Sequence, residues 1–244
     1  LTGTPDHPYR AQVNYVDFGT ALHCGFGVML ALREREVTGK GQCVSGSLLG
    51  TALAMSNALS IDHALNGIER QPIGNRSFSS GPTDVFRTRD GWIITQIVGS
   101  GIFARWAELV GRPELVDDPL YASDILRGDN GEELSAIMQR WCIERTSEEA
   151  IAELAAGGVP AGPVLRAGEA LAQPQVAAMG LVEPVDYPGA AGAVPVIRAA
   201  INLRESSKGA AQRAPQDGEH SDAILSELGY DAQAISALRG AKII

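Results

Sequence analysis

The sequence predicts a mixed helix-and-sheet protein, of α/β or α+β layout, on three observations. Long helical patterns fill the chain up to Asn66, alternating apolar runs flank Arg89-Asp90-Gly91, and short helical patterns return near the end. The stretch from Gln71 to Val98 joins the first region to the second. Its first half is small, polar and glycine-bearing, which suits a loop that approaches a ligand closely. Its second half reads as a hairpin.

In order, Leu1 to Tyr9 is turn-rich, since Gly3, Pro5, Asp6 and Pro8 interrupt regular structure. Asp17 to Val37 reads as a helix with Ala21, Leu22, Gly25, Val28, Met29 and Leu32 on one stripe. Gly19, Gly25 and Gly27 each cost about 1 kcal/mol of helicity, so close packing against another helix or a sheet must compensate. Asp17 suits a cap of the first turn, or a lone catalytic carboxylate. Thr38-Gly39-Lys40-Gly41 stops the helix. Gln42 to Ser45 is a short extended piece, and Ser47 caps a second helix carrying Leu48, Leu49, Ala52, Leu53, Met55 and Leu59.

Beyond the hairpin, Ile102 to Val110 is helical, Asp117-Asp118-Pro119 is a loop, and Asn130 caps a helix reaching about Arg145. Thr146-Ser147-Glu148-Glu149 is a capping box. Val159 to Val164, with Pro160, Gly162 and Pro163, is an extended connector. A short helix over Ala167 to Leu171 follows, then strands at Leu181 to Tyr187 and Ala193 to Ala199. Ser206 to Asp217 is a polar linker, and Ser221 to Leu228 and Asp231 to Leu238 are two small terminal helices. The expected division is 1–70 for the long helices, 71–191 for a small α/β domain, and 192–244 for a returning segment.

The bulk properties restrict function. The 244 residues can make one large domain or two modest ones, long enough to bury about 70–75% of the unfolded surface without disulfides or metals. Twenty basic against 29 acidic residues leave a net charge of −9. No basic face clusters, which argues against nucleic acid, while a phosphate-bearing small molecule needs only a few local donors. Cys24, Cys43 and Cys142 are odd in number and widely spaced, fitting neither a disulfide framework nor a zinc pattern, so a reducing cytoplasm is expected. No continuous apolar run reaches the roughly 18–20 residues of a membrane span, and no signal peptide is visible. The chain opens on Leu1 and its first methionine is Met29, as expected for a piece of a longer protein.

Several motifs resolve to structure. Gly39-Lys40-Gly41 lacks the spacing of a phosphate cradle and reads as a helix stop. Gly46-Ser47-Leu48-Leu49-Gly50 is no nucleophile elbow. His7, His23, His63 and His220 show no metal spacing, and His23 with Cys24 suits a buried structural pair. Asn75-Arg76-Ser77 matches a glycosylation sequon by chance. Asn75 to Gly81 stays open between a hydrophilic linker and a mobile loop whose amides and hydroxyls hold a polar ligand or an oxyanion.

The order of motifs resembles the family III CoA-transferases, of formyl-CoA and carnitine-CoA transferase type. The segments are Leu1-Thr2-Gly3-Thr4-Pro5-Asp6, Asp17-Phe18-Gly19-Thr20-Ala21, Leu30 to Arg35, Thr38 to Gln42, Gly74-Asn75-Arg76, Val85 to Trp92, Gly111 to Leu115, Gly158 to Val164 and Gly218 to Asp222. They span essentially the whole chain. The resemblance implies an α/β fold with a Rossmann-like large domain, mostly outside this chain, an inserted smaller domain, and an interlocked homodimer. It implies acyl-CoA and a small carboxylic acid as substrates and coenzyme A as co-substrate; on the charge, histidine spacing and apolar runs above, no metal, no nucleic acid and no membrane are expected. It also implies an aspartyl-CoA thioester intermediate, sheltered from water by a glycine-rich loop.

The family's nucleophilic Asp falls just upstream of the segment matching Leu1 to Pro5, so no catalytic nucleophile is assigned here and Asp17 does not replace it. The resemblance points to Asn75, Arg76, Ser77, Ser79, Ser80 and Gly81 as the loop lining the acyl site, with serines where the family has a longer glycine run. α-Methylacyl-CoA racemases share the fold and use an Asp, a His and a Glu. That Glu would fall in the turn Val98-Gly99-Ser100-Gly101-Ile102-Phe103, which lacks a carboxylate and so disfavours the racemase alternative. A non-catalytic dimerising remnant is the third alternative.

Overall fold

The computed structural model describes residues 2–201, 203, 205 and 212–244. Leu1 and residues 206–211 of the polar linker lie outside the described residues. Two compact units appear, Leu1–Val164 and Leu165–Ile244. Their division falls inside the segment 71–191 expected as one domain.

The first unit opens with a two-stranded ribbon, β1 (Gly3–Thr4) and β2 (His7–Pro8), where the sequence suggests turns alone. Helix α1 (Tyr15–Thr38) is followed by α2 (Leu48–Met55) and α3 (Asn57–Asn66). Asp17 is not the cap of α1. Asn14 holds that position without a side-chain cap bond, and Asp17 sits inside the first turn, where a carboxylate favours the positive end of the helix dipole. Gly39 stops α1 in the left-handed conformation, its N–H donating to the Arg35 carbonyl at 2.8 Å. Ser47 caps α2 as expected, accepting from the Gly50 N–H at 3.1 Å. The helix expected to run on from Ser47 to near Asn66-Gly67 is broken at Ser56, and Gln42 to Ser45 joins no sheet.

Small residues on α1 admit close neighbours. A Cβ on Gly19 would lie 2.3 Å from the Met55 Cε, and one on Gly27 2.9 Å from the Val44 Cγ1. Thr20 donates to Thr51 at 2.8 Å across the α1–α2 contact, and the His23 Nδ1 lies 3.4 Å from the same hydroxyl. His23 is exposed and Cys24 half-buried, so they are not the buried pair expected. Helix α1 is also long and apolar enough to cross a membrane by length and composition, although it holds no continuous apolar run of that length. Averaging over the helix tolerates Asp17 and His23, which interrupt any continuous apolar run.

The core lies farther on. Strands β3 (Thr83–Arg87) and β4 (Trp92–Gln96) form the expected hairpin, with Phe86 opposite Ile93. Helix α4 (Ser100–Leu109), 3₁₀ turns at Pro113–Val116 and Pro119–Tyr121, α5 (Asp124–Asp129), α6 (Gly131–Cys142) and α7 (Ser147–Ala156) follow. β5 (Ala161–Pro163) pairs antiparallel with β4, so the expected connector is an edge strand. Its Pro163 is tolerated because an edge strand has no second neighbour to receive an N–H.

Phe86 and Ile93 of the sheet and Ile97 just beyond it meet Phe103, Trp106 and Ala107 of α4, Leu134, Ile137, Met138 and Cys142 of α6, and Ala150 and Leu154 of α7. The helical positions recur at three and four residues, the spacing that places them on one face. The Trp106 Nε1–H donates to the Met138 Sδ at 3.2 Å, which satisfies a buried donor. Thr146 and Glu149 complete the predicted capping box. Burial pushes the Cys142 thiol up to about 12. The opposite face of the sheet leaves Trp92, Ile94 and Val98 exposed.

The second unit contains α8 (Ala167–Leu171), α9 (Pro174–Ala178), the antiparallel pair β6 (Val182–Val185) and β7 (Val194–Ile197), then α10 (Ser221–Glu227) and α11 (Ala232–Gly240). Asp231 caps α11 through the Ala234 N–H at 2.8 Å. Arg213 grips Glu219, whose carboxyl is lowered to about 2 by that bond first and by the Gln216 N–H second.

Candidate functional site

The polar stretch from Gln71 to Gly81 leaves α3 and enters β3. It is anchored at three places. At its start, the Arg70 Nε donates to Asp62 of α3 at 3.0 Å and its Nη1 to Asp129 of α5 at 2.8 Å. The same guanidinium lies 5.4 Å from the centroid of the Phe78 ring. The Asp129 bond leads in holding the Arg70 guanidinium's pKa above its ordinary value. At its middle, the Gly74 N–H donates to the Gly3 carbonyl of the N-terminal ribbon at 2.7 Å. Gly3 adopts φ +99, and a Cβ there would meet the His7 carbonyl oxygen at 2.2 Å, so only glycine suits that corner.

At its end, loop backbone packs on α5 backbone. A Cβ on Gly128 would meet the Phe78 carbonyl oxygen at 2.4 Å, and one on Gly81 would meet the Arg127 carbonyl oxygen at 2.5 Å. Helix α5 therefore serves as a platform. Arg127 within it is buried and every arm is engaged: Nε donates to the Tyr121 carbonyl at 2.7 Å, Nη1 to Asp124 at 2.8 Å, and Nη2 to the Ser100 hydroxyl at 3.2 Å. The Phe103 ring lies 4.1 Å from its guanidinium carbon. A buried guanidinium needs such complete pairing. Asp124 also accepts from the Gly99 N–H with both oxygens, at 3.0 and 2.9 Å. One short helix thus holds both the polar loop and the turn after the hairpin.

The six expected loop residues separate into two groups. Asn75 and Ser79 are exposed, while Arg76 and Ser77 are half-buried. Arg76 reaches Glu132 at 3.7 Å, and the Ser79 N–H donates to the Ser77 hydroxyl at 3.2 Å, closing a local turn. Ser80 and Gly81 are buried, with the Ser80 hydroxyl 2.8 Å from that of Thr83. Asn75, Arg76, Ser77 and Ser79 are thus the members able to meet a ligand, while Gly81 packs on the α5 backbone and Ser80 is held by Thr83. A groove of about 310 Å³ opens by the ribbon, lined by Thr2, Tyr9, Arg10, Asn14, Tyr15 and Asp17 among others.

Sequence reading missed Arg70, Asp124, Arg127 and Asp129. Ser123, which accepts the Leu126 N–H at 3.3 Å, is a cap signal that marks the start of α5. Asn130 does not cap α6 through its side chain. Its amide donates back to the Leu120 and Leu126 carbonyls, at 3.3 and 2.9 Å.

Comparison with known proteins decides the family. The model of CoA-transferase family III matches residues 1–221. The chain belongs to CoA-transferase family III. An acyl-CoA transferase of Fusarium pseudograminearum strain CS3096 is 33% identical over 97% of this chain and 52% of its own length. A human succinyl-CoA:glutarate CoA-transferase is 29% identical, covering 97% and 54%. The chain therefore spans about half the length of these curated relatives. A crystal structure of a CAIB/BAIF family protein from Brucella suis superposes with a TM-score of 0.72 at 29% identity, over 93% of this chain and 59% of that one. The mixed helix-and-sheet fold is thus that of family III.

Proposed function

We propose that this chain is part of an enzyme that moves coenzyme A between carboxylic acids through an aspartyl-CoA thioester. The observation that carries this reading is the 2.7 Å hydrogen bond from the Gly74 N–H to the Gly3 carbonyl. On the family resemblance, the nucleophilic Asp stands just before the segment matching Leu1 to Pro5. The bond ties the polar loop to the segment that follows that nucleophile. The human relative is a succinyl-CoA:glutarate CoA-transferase and the Fusarium relative an acyl-CoA transferase, which supports this class of reaction.

The chemistry proceeds in balanced steps. The Asp carboxylate attacks the donor thioester carbonyl and expels CoA thiolate, leaving a mixed anhydride. The thiolate then attacks the aspartyl carbonyl of the anhydride and expels the donor acid, leaving the aspartyl thioester. The acceptor carboxylate runs the same two steps in reverse. Asn75, Arg76, Ser77 and Ser79 orient the acyl group and exclude water. The protein is a homodimer on this reading, supported by the apolar surface of α1 and the exposed outer face of the sheet.

Racemisation is the lesser reading. The turn 98–101 supplies no carboxylate of its own, and Asp124, which reaches it, is already engaged by the Gly99 N–H and by Arg127. The test uses the native protein with succinyl-CoA and a panel of small dicarboxylates. Formation of the acceptor's thioester, together with trapping of the enzyme by hydroxylamine during turnover, is expected. Exchange of the substrate α-hydrogen with deuterated water in the absence of an acceptor would instead establish the racemase.

A further inference from the structure

Two facts single out the entrance of the polar loop. The seven residues from Gln71 to Ser77 are bracketed by Arg70 and Phe78, whose side chains stack at 5.4 Å, so the loop is closed at its base. The Arg70 guanidinium also joins two elements far apart in the chain, through Asp62 on α3 and Asp129 on α5. Only 17% of its side chain remains exposed. Next to Asp129, the Gly128 backbone supports the Phe78 carbonyl, so the clamp and the backbone contact act on one stretch of loop.

We propose that Arg70 is the positioning residue of the 71–81 loop, clamping its base between α3 and α5. The inference rests on the transfer reaction proposed above for its functional consequence. Arg70 does not touch the reacting atoms. It acts through Phe78 and the loop backbone, fixing where Asn75, Arg76, Ser77 and Ser79 stand. Lysine cannot replace it fully, because one ammonium lacks the planar fork that reaches two carboxylates while stacking on a ring. A loosened loop admits water to the enzyme-bound thioester, and water attack on that carbonyl releases CoA thiol and regenerates the carboxylate. The expected signature is therefore a larger share of hydrolysis per CoA transferred.

The test compares wild type, Arg70→Ala, Arg70→Lys and Asp129→Asn in the native protein. Amide hydrogen exchange across residues 71–79 is expected to quicken about tenfold in Arg70→Ala, matching the loss of two partly covered ion pairs and one cation–π contact. Exchange across the core from Phe86 to Val159 stays unchanged, which separates the effect from unfolding. Arg70→Lys and Asp129→Asn fall between wild type and Arg70→Ala. With succinyl-CoA and an accepted dicarboxylate, the ratio of free thiol released to CoA transferred rises in the same order. Unchanged exchange in Arg70→Ala overturns the clamp. Faster exchange with an unchanged ratio also overturns the positioning role, since it leaves a merely structural one. If wild type transfers no CoA, the reaction reading fails by itself, and the exchange rates alone then judge the clamp.

Discussion

The segment from Phe86 to Val159 and the arm from Tyr15 to Asn66 both carry many large apolar side chains, with opposite fates. In the first, Phe103 and Trp106 are wholly buried. In the second, Phe18 and Phe26 are 65% and 67% exposed. The difference is one of periodicity. Helices α4 and α6 keep their apolar residues on one side, which a single sheet face can cover. Helix α1 is apolar nearly all round, a pattern suited to burial on several sides, and α2 supplies only one of them. A hydrophobic pattern therefore predicts burial only together with the surfaces available to cover it.

The largest expected effects test that contrast directly. Trp106→Ala should cost about 3–5 kcal/mol in urea unfolding of the 244-residue chain, while Phe26→Ala should stay within about 0.5 kcal/mol. Equal costs would erase the distinction between the regions. A larger Phe26→Ala cost in the native protein would show that α1 is covered there.

Glycine substitutions sharpen the comparison by sign. Gly128→Ala drives a Cβ to 2.4 Å from the Phe78 carbonyl oxygen and should destabilise by about 1–3 kcal/mol. Gly25→Ala, on α1 with open space around it, should stabilise by up to about 1 kcal/mol, since only helix propensity changes. Smaller again is the capping contrast. Thr146→Ala loses a capping box and should cost about 1 kcal/mol, whereas Asn14→Ala removes no cap bond and should cost a few tenths at most. Thermal or urea midpoints read both pairs.

Alkaline pH gives the finest probe. Burial raises the Cys142 thiol from 9.0 to about 12, and burial, then the hydrogen bond to Glu133, raises the Tyr121 hydroxyl from 10.0 to about 12. A raised folded pKa means the contribution is complete below the unfolded value and fades as pH climbs through the folded one. Core stability should therefore decline between pH 9 and about 12. At pH 8 a thiol reagent should label exposed Cys43 and spare Cys142 until the chain unfolds. Prompt labelling of Cys142 would contradict its burial.

Much of the candidate site was readable in its chemistry and little in its construction. The loop from Asn75 to Gly81 is conspicuous by composition, and the hairpin behind it by alternation. Nothing in local pattern distinguishes Asn75, which is exposed, from Ser80, which is buried against Thr83. The platform was missed because α5 is only 6 residues long, too short for a periodic signal. Its partners lie far off in the chain: Asp129 meets Arg70, and Asp124 meets Gly99. The edge strand at Ala161–Pro163 was missed for a related reason, since Pro-Ala-Gly-Pro has no strand propensity and pairs only because β4 offers a free edge.

By itself the sequence determined the elements whose causes are local: the stop of α1 at Gly39, the caps at Ser47 and Thr146, the hairpin around Arg89-Asp90-Gly91, and the order of motifs that marks the family. Those features depend on neighbours within a few residues, where backbone geometry and capping bonds leave few choices. Only the tertiary structure decided which apolar residues are covered, which polar ones face outward, and that Arg70 and α5 hold the loop. These outcomes depend on contacts between distant segments, and their energies exist only once the chain has brought those segments together.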